Sequence, residues 1–150
     1  MDGRGIAAAL VLGASAVQMG TAFLTCDEAG VPPAYKDAIL NATEEQTRLT
    51  RAFSGRPARG IVNRVLGDYQ GEEQHILPFP LQNVLTRPLR VEAARQNRPE
   101  YLSLWAGQGL RLARGGSAAQ LVARLDAEIV EALKSAVSGI VATWSGPSLD

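Results

Sequence analysis

The chain has 150 residues, of which 46% are hydrophobic, and its 15 basic and 15 acidic side chains leave it without net charge. That length suits one domain around one core, and the mixture of apolar and charged residues excludes wholesale disorder. Zero net charge argues against a protein that coats nucleic acid, because such binding depends largely on excess positive charge. One cysteine and one histidine supply neither a disulfide framework nor the usual ligand set of a zinc site.

Charge is distributed unevenly along the chain. Residues 1–47 hold six acids and two bases, residues 48–98 hold four acids and nine arginines, and residues 99–150 hold five acids and four bases. The planar guanidinium of arginine suits carboxylates and phosphates. The middle segment therefore either binds an anion or uses its arginines in solvated surface contacts and ion pairs, and we favour the second interpretation.

The first segment is uncharged from Gly5 to Cys26, a span of 22 residues that would allow a membrane helix or a signal peptide. Polar and helix-weakening residues interrupt this run, and its composition changes from Ala/Leu-rich to short and strand-like. We therefore predict a helix that Asp2 caps and Gly13 ends, followed by a buried strand over residues 14–19. A short helix before a short apolar strand is typical of an α/β fold with a parallel sheet. A membrane-anchored or secreted helical protein is the alternative.

Gly20 and Thr21 follow the predicted strand. At the carboxyl end of a parallel strand, a glycine lets an anion approach the backbone amides, and a threonine adds a hydroxyl donor. Barrel enzymes frequently bind phosphate in such loops. A tight turn that needs glycine for its dihedral angles is the alternative, and the dipeptide alone does not separate the two.

The rest of the chain predicts mainly helices. Pro33 suits the first position of a helix that runs to about residue 42, with Ala34, Ala38 and Ile39 inward. Alternation over residues 47–53 predicts a short strand. A helix over residues 81–97 would turn Val84, Leu85, Leu89 and Ala93 inward despite Pro88. Ser117 and Gln120 form a capping box that starts the last helix, whose apolar stripe comprises Leu121, Val122, Leu125, Ile129, Leu133 and Ala136.

Several blocks of the sequence together resemble the nitronate monooxygenase family, formerly called 2-nitropropane dioxygenases. They are DGRGIAAAL at residues 2–10, LGA at 12–14, VQMGTAFL at 17–24, SGRPARG at 54–60, PLQN at 80–83 and LWAGQG at 104–109. The first blocks are shared with related flavin barrels, including the FMN-dependent enoyl-acyl-carrier-protein reductases. The later blocks favour the nitronate monooxygenases.

The resemblance implies the C-terminal portion of an FMN-dependent (β/α)₈ TIM barrel that oxidises alkyl nitronates with O₂. The expected fold class is α/β, with the last helix–strand repeat of the barrel over residues 1–26. A mainly helical lobe that covers the flavin site would follow over residues 27–138, and a loose tail over residues 139–150.

The resemblance also implies which residues bind the cofactor. Gln18, Met19, Gly20 and Thr21 match the family segment that holds the FMN phosphate, with backbone amides and the Thr21 hydroxyl facing the phosphate oxygens. The other phosphate-loop glycines and the catalytic histidine of the family lie upstream of Asp2, so no catalytic residue is assigned in this chain. By itself the chain would bind FMN weakly or not at all.

The expected partners are a small-molecule nitronate and O₂, together with an upstream barrel half or self-association that covers the exposed strand. We expect no nucleic acid, no membrane and a cytoplasmic location. An FMN-dependent enoyl-thioester reductase is one alternative function, and a non-catalytic remnant or interaction module is another.

Several further residues have two interpretations each. Arg56 and Arg59 would neutralise a bound anion or, as we favour, form structural ion pairs. His75 lies in a polar stretch and is expected to be an exposed loop residue rather than a catalytic base, and Cys26 a packed small residue rather than a nucleophile. In the family, Trp105 or Gln108 would line the pocket. The alternative is a core role for Trp105, with Gly107 and Gly109 as turn residues.

Overall fold

A computed structural model describes residues 2–144 of the chain. Within them, six α-helices surround one antiparallel pair of strands. The elements are α1 Gly3–Val11, α2 Thr21–Leu24, α3 Pro33–Asn41, β1 Thr47–Thr50, β2 Ala58–Ile61, α4 Arg64–Asp68, α5 Leu81–Arg95 and α6 Ala118–Trp144, with short 3₁₀ helices at Glu44–Gln46, Glu73–His75, Pro99–Tyr101 and Gln108–Leu112.

The predicted limits of α1 are confirmed. The Asp2 carboxylate accepts a hydrogen bond from the Gly5 N–H at 3.2 Å, which satisfies one of the free donors at the helix start. Just beyond the end of the helix, Gly13 has a φ of +97°. This left-handed conformation favours glycine because other residues carry a Cβ that clashes there.

The predicted strand over residues 14–19 is not formed. Residues 14–18 are exposed, and no stretch between Ala14 and Met19 joins a ladder with any other part of residues 2–144. A strand requires a neighbour to pair with its N–H and C=O groups. Of the expected helix–strand repeat, only the helix is therefore present, and the described fold is mainly helical with one small antiparallel sheet.

The small sheet is formed by β1 and β2, with Leu49 opposite Arg59. The prediction of a strand over residues 47–53 is correct for Thr47–Thr50, and the chain then turns. Backbone bonds attach a further segment to β2: the Ile61 N–H donates to the Leu104 carbonyl at 2.9 Å, and the Ala106 N–H donates to the Arg59 carbonyl at 3.1 Å. Residues 104–106 are thereby held against the free edge of the sheet.

Helix α3 forms as predicted, with Ala34 and Ile39 buried. The prediction for the inner face of α5 is correct for Ala93 and wrong for the other three residues. Leu85 is 60% exposed, and Val84 and Leu89 are exposed as well. The helix instead buries Gln82 and Thr86 beside Ala93. Gln82 Nε2 donates to the Ala52 carbonyl at 2.6 Å, and the Thr86 hydroxyl donates to the Phe53 carbonyl at 2.6 Å. These bonds satisfy turn carbonyls that would otherwise be buried without a partner.

The capping box of α6 is confirmed. The Ser117 Oγ accepts from the Gln120 N–H at 3.1 Å, and the Gln120 Oε1 accepts from the Ser117 N–H at 3.0 Å. From the predicted stripe, Leu121 and Leu125 are buried, whereas Val122 and Leu133 are exposed. The buried pair packs in one cluster with Ile6, Ala22 and Cys26.

Helices α1 and α6 approach each other closely at Gly3. The Gly3 N–H donates to the Glu128 carboxylate at 2.8 Å. A Cβ added to Gly3 would lie 2.7 Å from the backbone carbon of Glu128. Only glycine therefore fits this contact without displacement of a helix.

The loose tail predicted from residue 139 is wrong as far as the structure extends, because α6 continues through Trp144. A glycine inside a helix costs only about 1 kcal/mol relative to alanine, so Gly139 does not end it. Residues 145–150, the remainder of the predicted tail, lie outside the described residues. Across residues 2–144, every helix is too short or too polar to span a bilayer.

The long segment between α2 and α6 begins and ends at neighbouring positions, next to the α1–α6 pair. Cys26 and Gly116 form a parallel bridge, and the Asp27 N–H donates to the Gly116 carbonyl at 3.0 Å. The Glu28 carboxylate accepts the Ala118 N–H at 2.9 and 3.1 Å, at the start of α6. We call residues 27–115 the central region and residues 2–26 and 116–144 the flanking segments.

Candidate functional site

The four residues that match the phosphate-binding segment line one cavity of about 200 Å³. Its lining residues are Gln18, Met19, Gly20, Thr21, Ala22, Gly107 and Gly109. A Cβ added to Gly20 would meet no atom within 4 Å, so the space beside its backbone is open. The structure thus brings residues 18–21, the predicted phosphate-binding corner, against the LWAGQG block, whose Gly107 lies 86 residues after Thr21.

The Thr21 hydroxyl connects these two blocks. Its Oγ1 accepts a hydrogen bond from the Gly107 N–H at 3.0 Å. A hydroxyl that accepts one bond still has its hydrogen to donate. Thr21 can therefore be held by Gly107 and donate to an anion at the same time.

A second cavity of about 320 Å³ adjoins the first and shares Gly20, Thr21 and Gly107 with it. Arg59 and Trp105 line it as well, together with Leu24 and Ala106. Gln108 is exposed and lines neither cavity. Of the two residues expected at the pocket, Trp105 is therefore the one that borders this space.

Trp105 also has the core role that was the alternative. Its ring packs edge-on against Phe53, with ring centroids 5.7 Å apart at 86°. The Tyr35 hydroxyl donates to the Trp105 carbonyl at 2.8 Å, and burial raises the pKa of Tyr35 to about 12. A Cβ added to Gly60 would lie 3.2 Å from the Trp105 ring. The indole thus lies against Phe53 and close to Gly60, and Tyr35 holds the backbone of the same residue, so that Trp105 forms one wall of the cavity.

The expectation that Arg56 and Arg59 form structural ion pairs is wrong, because neither pairs with a carboxylate in the part of the chain described. The Arg56 guanidinium lies 4.1 Å from the centre of the Phe79 ring. Arg59 Nη1 donates to the Thr47 Oγ1 at 3.0 Å. Both arginines are held by neutral groups, which leaves the positive charge of Arg59 uncompensated beside the second cavity.

His75 and Cys26 have the structural roles expected of them. His75 is exposed and lies 3.3 Å from the Glu72 carboxylate, outside both cavities. Cys26 is 2% exposed, its Sγ lies 3.7 Å from the Ala22 carbonyl, and burial raises the pKa of its thiol. A raised pKa leaves the thiol protonated and unreactive at neutral pH.

Two residues of the site had no role in the sequence-based prediction. Gly107 was interpreted only as a turn residue, and Tyr35 only as part of a helix. Tyr35 bonds to Trp105, 70 residues away in the sequence, and Gly107 bonds to Thr21, 86 residues away. The LWAGQG block indicated that the segment matters, but no local pattern indicates which of its backbone groups contacts Thr21.

Comparisons with known proteins indicate one family. The model of the nitronate monooxygenase family matches residues 1–128. A probable nitronate monooxygenase of Bacillus subtilis strain 168 is 50% identical over 111 residues, which are 74% of this chain and 32% of that protein. A probable nitronate monooxygenase of Staphylococcus saprophyticus is 46% identical over 122 residues, which are 81% of this chain and 34% of that protein.

Two solved structures are similar over most of the chain. A nitroalkane oxidase from Streptomyces ansochromogenes has a TM-score of 0.83 at 46% identity, over 90% of this chain and 38% of that one. FabK from Thermotoga maritima has a TM-score of 0.76 at 32% identity, over 91% of this chain and 44% of that one. The chain spans about a third of the length of the curated relatives it matches. Since the family model covers more than half of its residues, the chain belongs to the nitronate monooxygenase family of oxidoreductases.

Proposed function

We propose that this chain supplies the part of an FMN-dependent nitronate monooxygenase that holds the FMN phosphate and forms one wall of the adjoining pocket. The observation that carries the proposal is the cavity that Gly20 and Thr21 share with Gly107, next to Arg59 and Trp105. Family membership supplies the reaction, in which an alkyl nitronate is oxidised with O₂.

The residues at this cavity fit one side of a phosphate. A phosphate needs room, hydrogen-bond donors and positive charge. Gly20 leaves the space beside its backbone open, the Thr21 hydroxyl has its hydrogen to donate, and Arg59 lines the adjoining cavity without a carboxylate partner. Bound FMN would supply the redox chemistry, while these residues bind and orient it. Trp105 would limit the space beside the phosphate end of the pocket and exclude water from it.

The packing also supports a division of the chain that differs from the expected one. We assign α6, together with residues 2–26, to the barrel portion, because its buried leucines pack with Ile6 and Cys26. The lobe over the flavin site would then be an insertion that begins after Cys26 and ends before Gly116, where the chain returns. The expected lobe over residues 27–138 would instead separate most of α6 from α1, the helix on which it packs.

An upstream barrel half is the partner that we propose for the flanking segments. Leu12 is 88% exposed, Val17 is also exposed, and residues 14–19 have no neighbouring strand in the described chain. A partner strand on each side would satisfy these backbone groups and cover these side chains. The proposed location is cytoplasmic, where flavin, nitronate and O₂ are all available to the protein.

An FMN-dependent enoyl-thioester reductase is the second candidate function. The similarity to FabK supports it, but both the TM-score and the identity are lower than those to the nitroalkane oxidase. The two functions use the same phosphate site and differ in the substrate that reaches the flavin.

A chimera tests the proposed function. This chain replaces the matching third of the Bacillus subtilis relative, and flavin content, O₂ consumption with an alkyl nitronate and NAD(P)H-dependent reduction of an enoyl thioester are measured. We expect stoichiometric FMN after desalting and nitronate-dependent O₂ consumption. A folded chimera without FMN would contradict the proposal, and one that holds FMN but only reduces the thioester would support the second candidate.

Substitutions at Thr21 in the chimera test the phosphate contact itself. Thr21→Val keeps the shape of the side chain but removes the hydroxyl, so we expect FMN affinity to fall about tenfold or more, the effect of one hydrogen bond to a charged group. Riboflavin, which lacks the phosphate, should bind both proteins equally. Thr21→Ser keeps the hydroxyl and is the matched control. An equal loss of affinity for FMN and riboflavin would show that the Thr21 hydroxyl does not contact the phosphate.

A further inference from the structure

The hydrogen bond between Gly107 and Thr21 joins the central region to a flanking segment. The Gly107 N–H is the donor and the Thr21 Oγ1 the acceptor. Within residues 2–144, the Thr21 hydroxyl donates to no other group. Its hydrogen is therefore available on the side of the cavity that these two residues share.

A threonine hydroxyl has a competing arrangement. Thr21 is the first residue of α2, and a threonine hydroxyl at such a position can turn away from the cavity and donate to a nearby backbone carbonyl. Such a bond would use the hydrogen that an anion needs. An N–H that donates to Oγ1 from outside the helix opposes this arrangement, because it favours the rotamer in which the oxygen faces the donor.

The Gly107 N–H is well placed for this role because the segment before it is firmly held. Leu104 and Ala106 pair with β2 through backbone bonds of 2.9 and 3.1 Å. The carbonyl between them, that of Trp105, accepts the buried Tyr35 hydroxyl at 2.8 Å. Gly107 is thus presented to Thr21 by a segment with three fixed backbone groups.

The backbone at Gly107 does not itself require glycine. Its φ of −77° and ψ of 168° suit any residue, and an added Cβ would lie 3.8 Å from the Thr21 Oγ1, an ordinary contact. The same φ lies within the range of proline, which lacks the N–H. The hydrogen bond can therefore be removed with little other change.

We propose that Gly107 is a positioning residue for the phosphate site: its N–H fixes the Thr21 hydroxyl so that the hydroxyl hydrogen faces the phosphate. This inference rests on the proposed function and deepens it. Affinity for the phosphate end of FMN then depends on the docking of residues 104–107, and an undocked segment leaves Thr21 free to donate to its own backbone.

The test compares Gly107→Pro with Gly107→Ala in the chimera with the Bacillus subtilis relative, which supplies the remainder of the barrel. FMN and riboflavin are titrated by fluorescence anisotropy, and the χ1 rotamers of Thr21 are measured by NMR couplings without ligand. Both variants add a Cβ at the cavity, but only the alanine variant keeps the N–H, so we expect the alanine variant to prefer FMN over riboflavin about tenfold more than the proline variant does. The proline variant should keep its riboflavin affinity and show averaged rotamers at Thr21.

A second substitution keeps the test decisive if the proline variant folds poorly. Thr21→Ser removes the β-branch, so the Gly107 N–H alone must then select the rotamer, and we expect the FMN preference to be retained. Loss of that preference in the serine variant would overturn the inference, as would equal preferences in the proline and alanine variants. A chimera without these substitutions that does not prefer FMN to riboflavin would instead contradict the proposed function, and the inference with it.

Discussion

The central region and the flanking segments bury their apolar side chains to different extents. In the central region, Ile39, Phe53 and Leu110 are almost completely buried among neighbours of the same region. In the flanking segments, Leu12 and Val137 are exposed although α1 and α6 pack on each other. The central region thus contains the larger core and the flanking segments share one small cluster, although both regions also expose apolar side chains, Val84 and Leu85 of α5 among them. The proposed binding corner at Gly20 and Thr21 lies where these two regions meet.

The largest expected effect is in the central region, at Gly55. Its φ is +82°, and an added Cβ would lie 2.6 Å from both the Leu77 carbonyl oxygen and the Phe79 nitrogen. Gly55→Ala should therefore lower the free energy of unfolding by about 3 kcal/mol, as measured by urea denaturation. Gly67→Ala is the matched control, because its added Cβ meets nothing within 4 Å inside α4. Equal effects of the two substitutions would contradict the packing described for residues 52–79.

A smaller effect is expected in the flanking segments, at Gly3. Gly3→Ala places a methyl group against the backbone of Glu128, and overpacking of this kind typically costs about 1–3 kcal/mol. Hydrogen exchange should show faster opening of α1 and α6 but unchanged protection of α5, if the two regions are as separate as their cores suggest. Gly139→Ala adds a methyl group to open space in α6 and serves as the control. Loss of protection throughout the chain would show that the regions unfold as one.

The smallest effect concerns the connection between the two regions. The Ala118 N–H that donates to the Glu28 carboxylate holds the pKa of Glu28 below its usual value. A lowered carboxyl pKa contributes stability above the unfolded value near 4.5, and this contribution is lost as the pH falls through the folded value. Glu28→Gln should therefore lower the urea midpoint slightly at pH 7 and not at pH 3. A difference of the same size at both pH values would contradict a charge effect.

Elements decided by residues close together in the sequence were predictable. The Asp2 cap, the left-handed Gly13, the Pro33 helix start and the Ser117–Gln120 capping box all form as expected, since each is decided within one or two turns. The family followed from short blocks of sequence, whereas the phosphate-binding role of residues 18–21 stays a prediction. The strand over residues 14–19 was not predictable in the same way, because pairing depends on a partner strand and not on the strand itself.

The inner face of α5 shows a second limit. Its apolar periodicity indicated Val84, Leu85 and Leu89, yet the helix buries Gln82 and Thr86 because two turn carbonyls about 30 residues away need donors. The same limit applies to the site, where the Gly107 N–H reaches Thr21 across 86 residues. Hydrophobic pattern describes which side chains avoid water, but it does not reveal which distant backbone group requires a polar partner.

The bridge between Cys26 and Gly116 has a consequence for how this architecture can be altered. Since the ends of the central region emerge side by side, a segment of any length can be exchanged there without stretching the scaffold, as in other tolerated domain insertions. On the proposed division of the chain, grafting the central region of a relative between these two positions should transfer its substrate preference while the proposed phosphate contact at Gly20 stays in place.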